Sequence, residues 1–304
     1  MSSDDGQTDL TDSTVEMRDE SEDEALGVFY EEQEKSRQAH LNLERWWAAV
    51  RQGKKGPPTL VVSCHDWGEA TGALTERFGV MFAVLNMSKA FVFGGAYEQG
   101  MMAQEKDIFA RSFCHFMPQP EVGLPSASYG QRMRDLLYAR EGRVYLNCQN
   151  PCVCVTGSKQ NGYRMLADEL VFPFYELRAA GVDMRDRPSP EDWFDEEQRL
   201  AWDWVDEEEL SKRIVAQLET CRDKGVRHVV LSAFGCGAFQ NPPLMVALAY
   251  RDALVGHEGD FDVVAFATDC AGYGPASNYD TFATVLGGND VMGKWSVEFE
   301  GVLE

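Results

Sequence analysis

The sequence predicts an α/β sandwich built on a largely parallel sheet. Two observations carry this. Short β-branched runs alternate with longer amphipathic stretches through most of the 304 residues, the order that successive βαβ units produce. Two of the strand-like runs end in glycine-bearing turns that open helices, as happens at the carboxyl rim of α/β sheets.

The elements follow in order. Residues 1–24 are rich in Ser, Thr, Asp and Glu and nearly free of large apolar groups. They cannot bury enough surface to offset chain entropy and are read as a disordered acidic tail. Residues 25–57 form an N-terminal helix and linker, with Leu26, Phe29, Trp46 and Trp47 at partly helical spacing and a break from Gly53 to Pro58. A single domain then spans 58–304. Thr59–Ser63 reads as a strand, Trp67–Phe78 as a helix, Val80–Asn86 as a buried strand and Ala103–Phe113 as a helix. Gly142–Leu146, Cys152–Val155 and Leu170–Leu177 read as strands. Asp206–Lys224 is an amphipathic helix with Leu210, Ile214, Leu218 and Cys221 on one face, ended by Gly225. His228–Ser232 is a strand, Pro243–Leu254 a helix and Phe261–Ala267 the final strand. The acidic stretch at about 185–205, with Trp193, Trp202 and Trp204, reads as an insertion.

A hydrophobic content of 44% and a charged content of 26% suit an ordinary globular protein, but the net charge of -22 does not. Residues 1–25 hold ten acidic groups against Arg18, and residues 183–211 hold twelve against three arginines. Such a surface disfavours nucleic acid as a partner. A small anion can still bind where backbone N–H groups converge. The eight cysteines are expected to be reduced thiols, because the N-terminus lacks a targeting pattern. No apolar run approaches the roughly 20 residues that span a bilayer. These features imply an intracellular protein, cytoplasmic or nuclear, with no membrane partner.

Two constellations can carry chemistry. In the first, Leu85–Asp107, a buried strand ends, Gly94, Gly95 and Gly100 follow, and Gln104 and Glu105 stand in the first turn of the next helix. Glycines let backbone approach a ligand, and a helix start offers unpaired N–H groups. A solvated turn with a dipole-matched Glu is the plain alternative. In the second, Val229–Tyr250, a strand runs into Gly235-Cys236-Gly237-Ala238-Phe239, with Asn241 and two prolines opening a helix. This is a candidate anion cradle, or else a tight turn with Phe239 in the core. Cys236, at a helix start, is a candidate for a lowered pKa, or else a small packed residue. Cys148, Cys152 and Cys154 have no second Cys/His pair at zinc-site spacing and are read as strand cysteines. His65, Asp66 and His115 form no recognisable triad.

Together the two segments resemble the signature loops of the microbial-type poly(ADP-ribose) glycohydrolase family. The resemblance rests on Leu85-Asn86, Gly94-Gly95-Ala96-Tyr97, Gly100 and Gln104-Glu105-Lys106. It rests further on Ser232 to Pro243, and on Phe261–Asp269 followed by Asn278-Tyr279-Asp280-Thr281-Phe282. It covers roughly residues 59–285 and implies a three-layer α/β/α macrodomain that binds ADP-ribose or ADP-ribosylated protein, without metal or cofactor. It implies ligand contacts from Asn86, Gly94, Gly95, Ala96, Gln104, Gly235, Cys236, Gly237, Ala238, Phe239 and Asn241. The family's catalytic position, the second Glu of Gln-Glu-Glu, is Lys106 here. An ammonium is a poor general base, and its charge opposes an oxocarbenium-like transition state. Ala96 replaces the third glycine, Phe93 the proline and Lys89 an asparagine. The expectation is binding with hydrolysis weakened or lost. The alternative is an active ADP-ribosyl glycohydrolase using Glu105, the catalytic candidate, or a nearby acid such as Glu98 or Asp107.

Overall fold

The computed structural model describes residues 20–50, 57–90, 104–113, 129–185, 196–268, 277–287 and 292–300, without the side chains of 20–30 and 196–206. Two compact units divide the chain, Met1–Glu34 and Lys35–Glu304. The first is helical over residues 20–34, the opening of α1 (Glu20–Val50). That helix includes residues 20–24 of the expected tail.

The second unit contains, among the described residues, an eight-stranded sheet. Its strands are β1 (Thr59–Ser63), β2 (Ala83–Met87), β3 (Ser112–Phe113), β4 (Tyr145–Cys154), β5 (Phe172–Ala179), β6 (His228–Leu231), β7 (Val263–Ala267) and β8 (Ser296–Glu300). The spatial order is β3-β4-β5-β2-β6-β7-β1-β8. The β3–β4 and β4–β5 pairs are antiparallel, and the other neighbours are parallel. The sheet is thus mixed and largely parallel, as expected. The helices are α2 (Trp67–Phe78), α3 (Gln104–Arg111), α4 (Gln131–Leu137), α5 (Glu196–Asp223), α6 (Pro243–Leu254) and α7 (Asn278–Leu286).

Alternation along each strand sorts the core into two layers. Val61, Val84, Phe172, Phe174 and Val230 face Trp46 of α1, Trp67 and Leu74 of α2, and Ile108 of α3. On the opposite face Leu60, Leu85, Leu177 and Phe266 meet Leu210, Ile214 and Leu218 of α5, Val246 and Tyr250 of α6, and Phe282 of α7. The result is a three-layer α/β/α sandwich.

Local chemistry sets the helix ends. Asp66 caps α2 by accepting from the amides of Gly68 and Glu69, and Gly79 ends it in the left-handed conformation. Ser277 caps α7 through the Asp280 amide. Asn42 docks α1 by donating to the carbonyls of Asp168 and Val171 at 2.6 and 2.8 Å.

Several elements differ from expectation. The two strands expected at 142–146 and 152–155 are one, β4, with a register shift between Asn147 and Cys152. A local interruption by Pro151 hides its continuity in the sequence. The expected insertion lies partly outside the described residues, at 186–195. From Glu196 onward it belongs to α5, so Trp202 and Trp204 stand on a helix. Phe261–Ala267 is not the final strand, because β8 pairs with β1 beyond it. The expectation of reduced thiols fails at Cys64, which is disulfide-bonded. Cys148, Cys152, Cys154, Cys221 and Cys236 are free thiols. Among the described residues no helix is long and apolar enough to cross a membrane.

Candidate functional site

The sheet order creates a crevice. β2 and β6 are parallel neighbours, with Ala83 beside Val229 and Val84 beside Val230. After β2 the chain turns toward α3 and β3, and after β6 it turns the other way, toward α6 and β7. Connections that diverge from adjacent parallel strands leave a cleft at their carboxyl ends. The two glycine-bearing segments therefore leave the same rim, from neighbouring strands. Gly94, Gly95, Ala96 and Glu98 themselves lie outside the described residues. The exit of β5, on the other side of β2, adds Ala180 to Arg185 to this rim.

The turn after β6 is held from within. Gly235 takes φ 75°, a left-handed value, and its added Cβ would meet Asn241 Nδ2 at 2.6 Å. Asn241, buried, donates from Nδ2 to the carbonyls of Val182 at 2.7 Å and Gly235 at 3.1 Å. The Met184 amide donates to the Phe239 carbonyl at 3.0 Å. Asn241 is thus a brace that ties this turn to the β5 exit. Gly237 and Ala238 are exposed and Phe239 half-buried. Among the described residues, the amides of Gly237, Ala238 and Phe239 donate to no backbone acceptor. Three successive unsatisfied amides at a rim suit an anion. Arg185, ion-paired with Asp183, lies with its guanidinium carbon 5.4 Å from the Phe239 ring centroid. Burial pushes the Cys236 thiol up to about 12, so it is a packed, protonated group and not an activated nucleophile.

On the β2 side, Gln104, Glu105 and Lys106 form the first turn of α3. Glu105 is buried. It accepts from the Lys89 amide at 3.3 Å, and its Oε1 stands 3.9 Å from Arg178 Nη1. Asn86 is also buried, donating from Nδ2 to Glu176 Oε1 at 2.6 Å, with no partner at Oδ1. It lies beneath the rim and not on its surface. Arg178 Nε stands 2.7 Å from Glu176 Oε1, and its Nη1 donates to the Tyr129 hydroxyl at 2.5 Å. Asp107, considered as a substitute acid, is committed elsewhere: its Oδ2 accepts from Trp67 Nε1 at 2.7 Å and Arg111 Nη1 at 3.2 Å. His65 Nδ1 and Ser63 Oγ are 3.1 Å apart, while Asp66 pairs with Arg111. Among the described residues these form no Ser-His-Asp relay, and His115 lies outside them. Cys148, Cys152 and Cys154 are free thiols. Among the described residues no three His, Cys, Asp or Glu side chains group as metal ligands.

Comparison with solved structures decides the architecture. Poly(ADP-ribose) glycohydrolase from Thermomonospora curvata matches at 21% identity and a TM-score of 0.53, over 80% of this chain and 82% of that one. The same enzyme from Deinococcus radiodurans, in complex with ADP-ribose, matches at 21% identity and a TM-score of 0.56, over 83% and 91%. This is the poly(ADP-ribose) glycohydrolase fold. The Thermomonospora glycohydrolase bound to the inhibitor ADP-HPD matches at 22% identity, with a TM-score of 0.53 over 80% and 82%. No protein-family model matches the sequence, and no curated protein matches it.

Within that glycohydrolase fold, sequence reasoning did not single out Tyr129, Glu176 and Arg178. A signal for two of them existed. Glu176 and Arg178 interrupt the apolar run Phe-Pro-Phe-Tyr-Glu-Leu-Arg-Ala at alternate positions, which puts both on one buried face. Two charges on such a face require partners from another element.

Proposed function

We propose that the chain binds ADP-ribose, free or attached to protein, and that hydrolysis of poly(ADP-ribose) is weakened or lost. The observation that carries the reading is the row of three unsatisfied amides, Gly237 to Phe239, beside the crevice between β2 and β6. A diphosphate accepts from such amides, and Phe239 offers a half-buried ring to a ribose. Loss of hydrolysis rests on Lys106 at the position where the resemblance calls for a carboxylate. Among the described acids nearby, Asp107 is bonded to Trp67 and Arg111, and Glu105 is enclosed.

Calorimetric titration with ADP-ribose tests binding. A Cβ on Gly237 would meet nothing within 4 Å, so Gly237→Asp adds a carboxylate without a packing penalty. Like charges brought together cost several kcal/mol, so the affinity is expected to fall at least about a hundredfold. Absence of heat and thermal shift with the wild-type chain would overturn the reading.

The second reading is an active glycohydrolase using Glu105, favoured by a carboxylate kept in the first turn of α3. Release of ADP-ribose from poly- and mono-modified protein, abolished in Glu105→Ala, would establish it. Under the binding reading, wild-type turnover is near background. Lys106→Glu is then expected to raise it by at least about a hundredfold, the lower end of what a placed general acid contributes. No gain in a folded Lys106→Glu that still binds ADP-ribose would show that the loop lacks more than this one group.

A further inference from the structure

We infer that Arg178 is a positioning residue: it holds Glu105, and with it the first turn of α3, against the exit of β2. As far as the ligand is concerned, this rests on reading the crevice as an ADP-ribose site.

The argument begins with charge. Glu105, Glu176 and Arg178 are 2%, 1% and 0% exposed. A carboxylate enclosed this far is strongly disfavoured unless a cation or donors compensate it. One guanidinium serves both acids, with Nε at Glu176 and Nη1 facing Glu105. Burial works against the Arg178 charge, and Glu176, Tyr129 and Glu105 more than offset it, leaving its pKa above the ordinary arginine value. Burial likewise raises the Tyr129 hydroxyl, so it stays neutral and accepts the Arg178 hydrogen bond.

Geometry then turns charge into position. Arg178 sits on β5, Glu105 on α3, and the Lys89 amide that donates to Glu105 Oε2 lies just past β2. The Glu105 carboxylate therefore joins three segments of the crevice wall, and Arg178 is the cation beneath it. The Phe109 ring, one turn along α3, lies 5.1 Å from the Arg178 guanidinium carbon. Without that cation Glu105 is better solvated outside, and Gln104 and Lys106 move with it.

Amide hydrogen exchange tests this without any ligand. The reporters are Lys89 and the α3 amides Ile108 to Arg111, with β7 as the reference. Loss of the cation beneath enclosed carboxylates is costly enough that Arg178→Met is expected to speed the reporters about tenfold. Adding Glu105→Gln should undo part of that acceleration, since one of the two carboxylates that Arg178 faces is then neutral while Glu176 keeps its charge, and a double variant as fast as Arg178→Met would count against the inference. Reporters at wild-type rates, or α3 and β7 accelerating equally, would overturn the inference. Should Arg178→Met not fold, Tyr129→Phe removes the hydroxyl that holds Nη1. It is expected to speed the same amides about threefold, and unchanged rates again count against the inference. The ligand arm is separate: ADP-ribose affinity should fall about tenfold in Arg178→Met, with Arg178→Lys recovering part of it. Reporters that respond in a chain that never binds ADP-ribose would keep the positioning role and remove the ligand reading.

Discussion

Replacing Arg111 by Met is expected to cost the fold about 3 kcal/mol, the lower end of the range for breaking a buried ion pair. Arg111 is 2% exposed, and its Nη1 donates to Asp66 at 2.7 Å and Asp107 at 3.2 Å. Its Nε donates to the Thr156 carbonyl at 3.2 Å, and its guanidinium carbon lies 4.8 Å from the Trp67 ring centroid. Asp66 is at the same time the N-cap of α2. One side chain therefore joins the start of α2, the body of α3 and the segment after β4. The lower end of the range applies because the two aspartates are 21% and 24% exposed and retain some water when the cation leaves. Arg111→Lys should recover little, since an ammonium cannot reproduce the fork, and a Cβ at Gly68 would lie 2.2 Å from Nη2, so the guanidinium sits in a close-fitted slot. Urea unfolding followed by circular dichroism measures the loss as a lowered midpoint at unchanged slope. A loss under about 1 kcal/mol would mean that α2 and α3 are held by their apolar faces alone.

What the sequence revealed and what it concealed follow from how local each signal is. Thr59–Ser63, Trp67–Phe78 and Pro243–Leu254 are found at their expected bounds. Asp66 and Gly79 bracket the first helix, and a proline at the first position opens the second. The edge strand Ser-Val-Glu-Phe-Glu was not legible, because it is short, carries two acids and finds its register only against β1. The turn after β6 was legible because its two glycines, Gly235 and Gly237, are separated by one residue only. Asn241 was expected at the ligand, whereas its amide braces the turn against Val182, a partner 59 positions away. Arg178, Glu176 and Tyr129 were out of reach for the same reason. Their meaning arises only when β5, α3 and the segment before α4 meet, and no spacing in the chain encodes that meeting.

The same brace makes Gly235 a sensitive position of the crevice. Gly235→Ala is expected to cost on the order of 3 kcal/mol and to abolish ADP-ribose binding. Part of the cost is conformational, because φ of 75° at this position disfavours any side chain by about 1–2 kcal/mol. The rest is displacement. A Cβ would sit 2.6 Å from Asn241 Nδ2 and 3.0 Å from its Cγ, so the amide must leave the Val182 and Gly235 carbonyls it serves. Gly181 lies on the other side, where an added Cβ would come 3.2 Å from the Gly235 Cα, so the two backbones already run close together. Displacement of Asn241 releases the turn that carries the amides of Gly237 to Phe239. The two contributions separate in a double-mutant cycle with Asn241→Ala. If displacement contributes as argued, the double variant is more stable than the sum of the single losses by about 1 kcal/mol or more. Strict additivity would assign the whole effect to the backbone angle, and binding that survives Gly235→Ala would detach the anion site from this turn altogether.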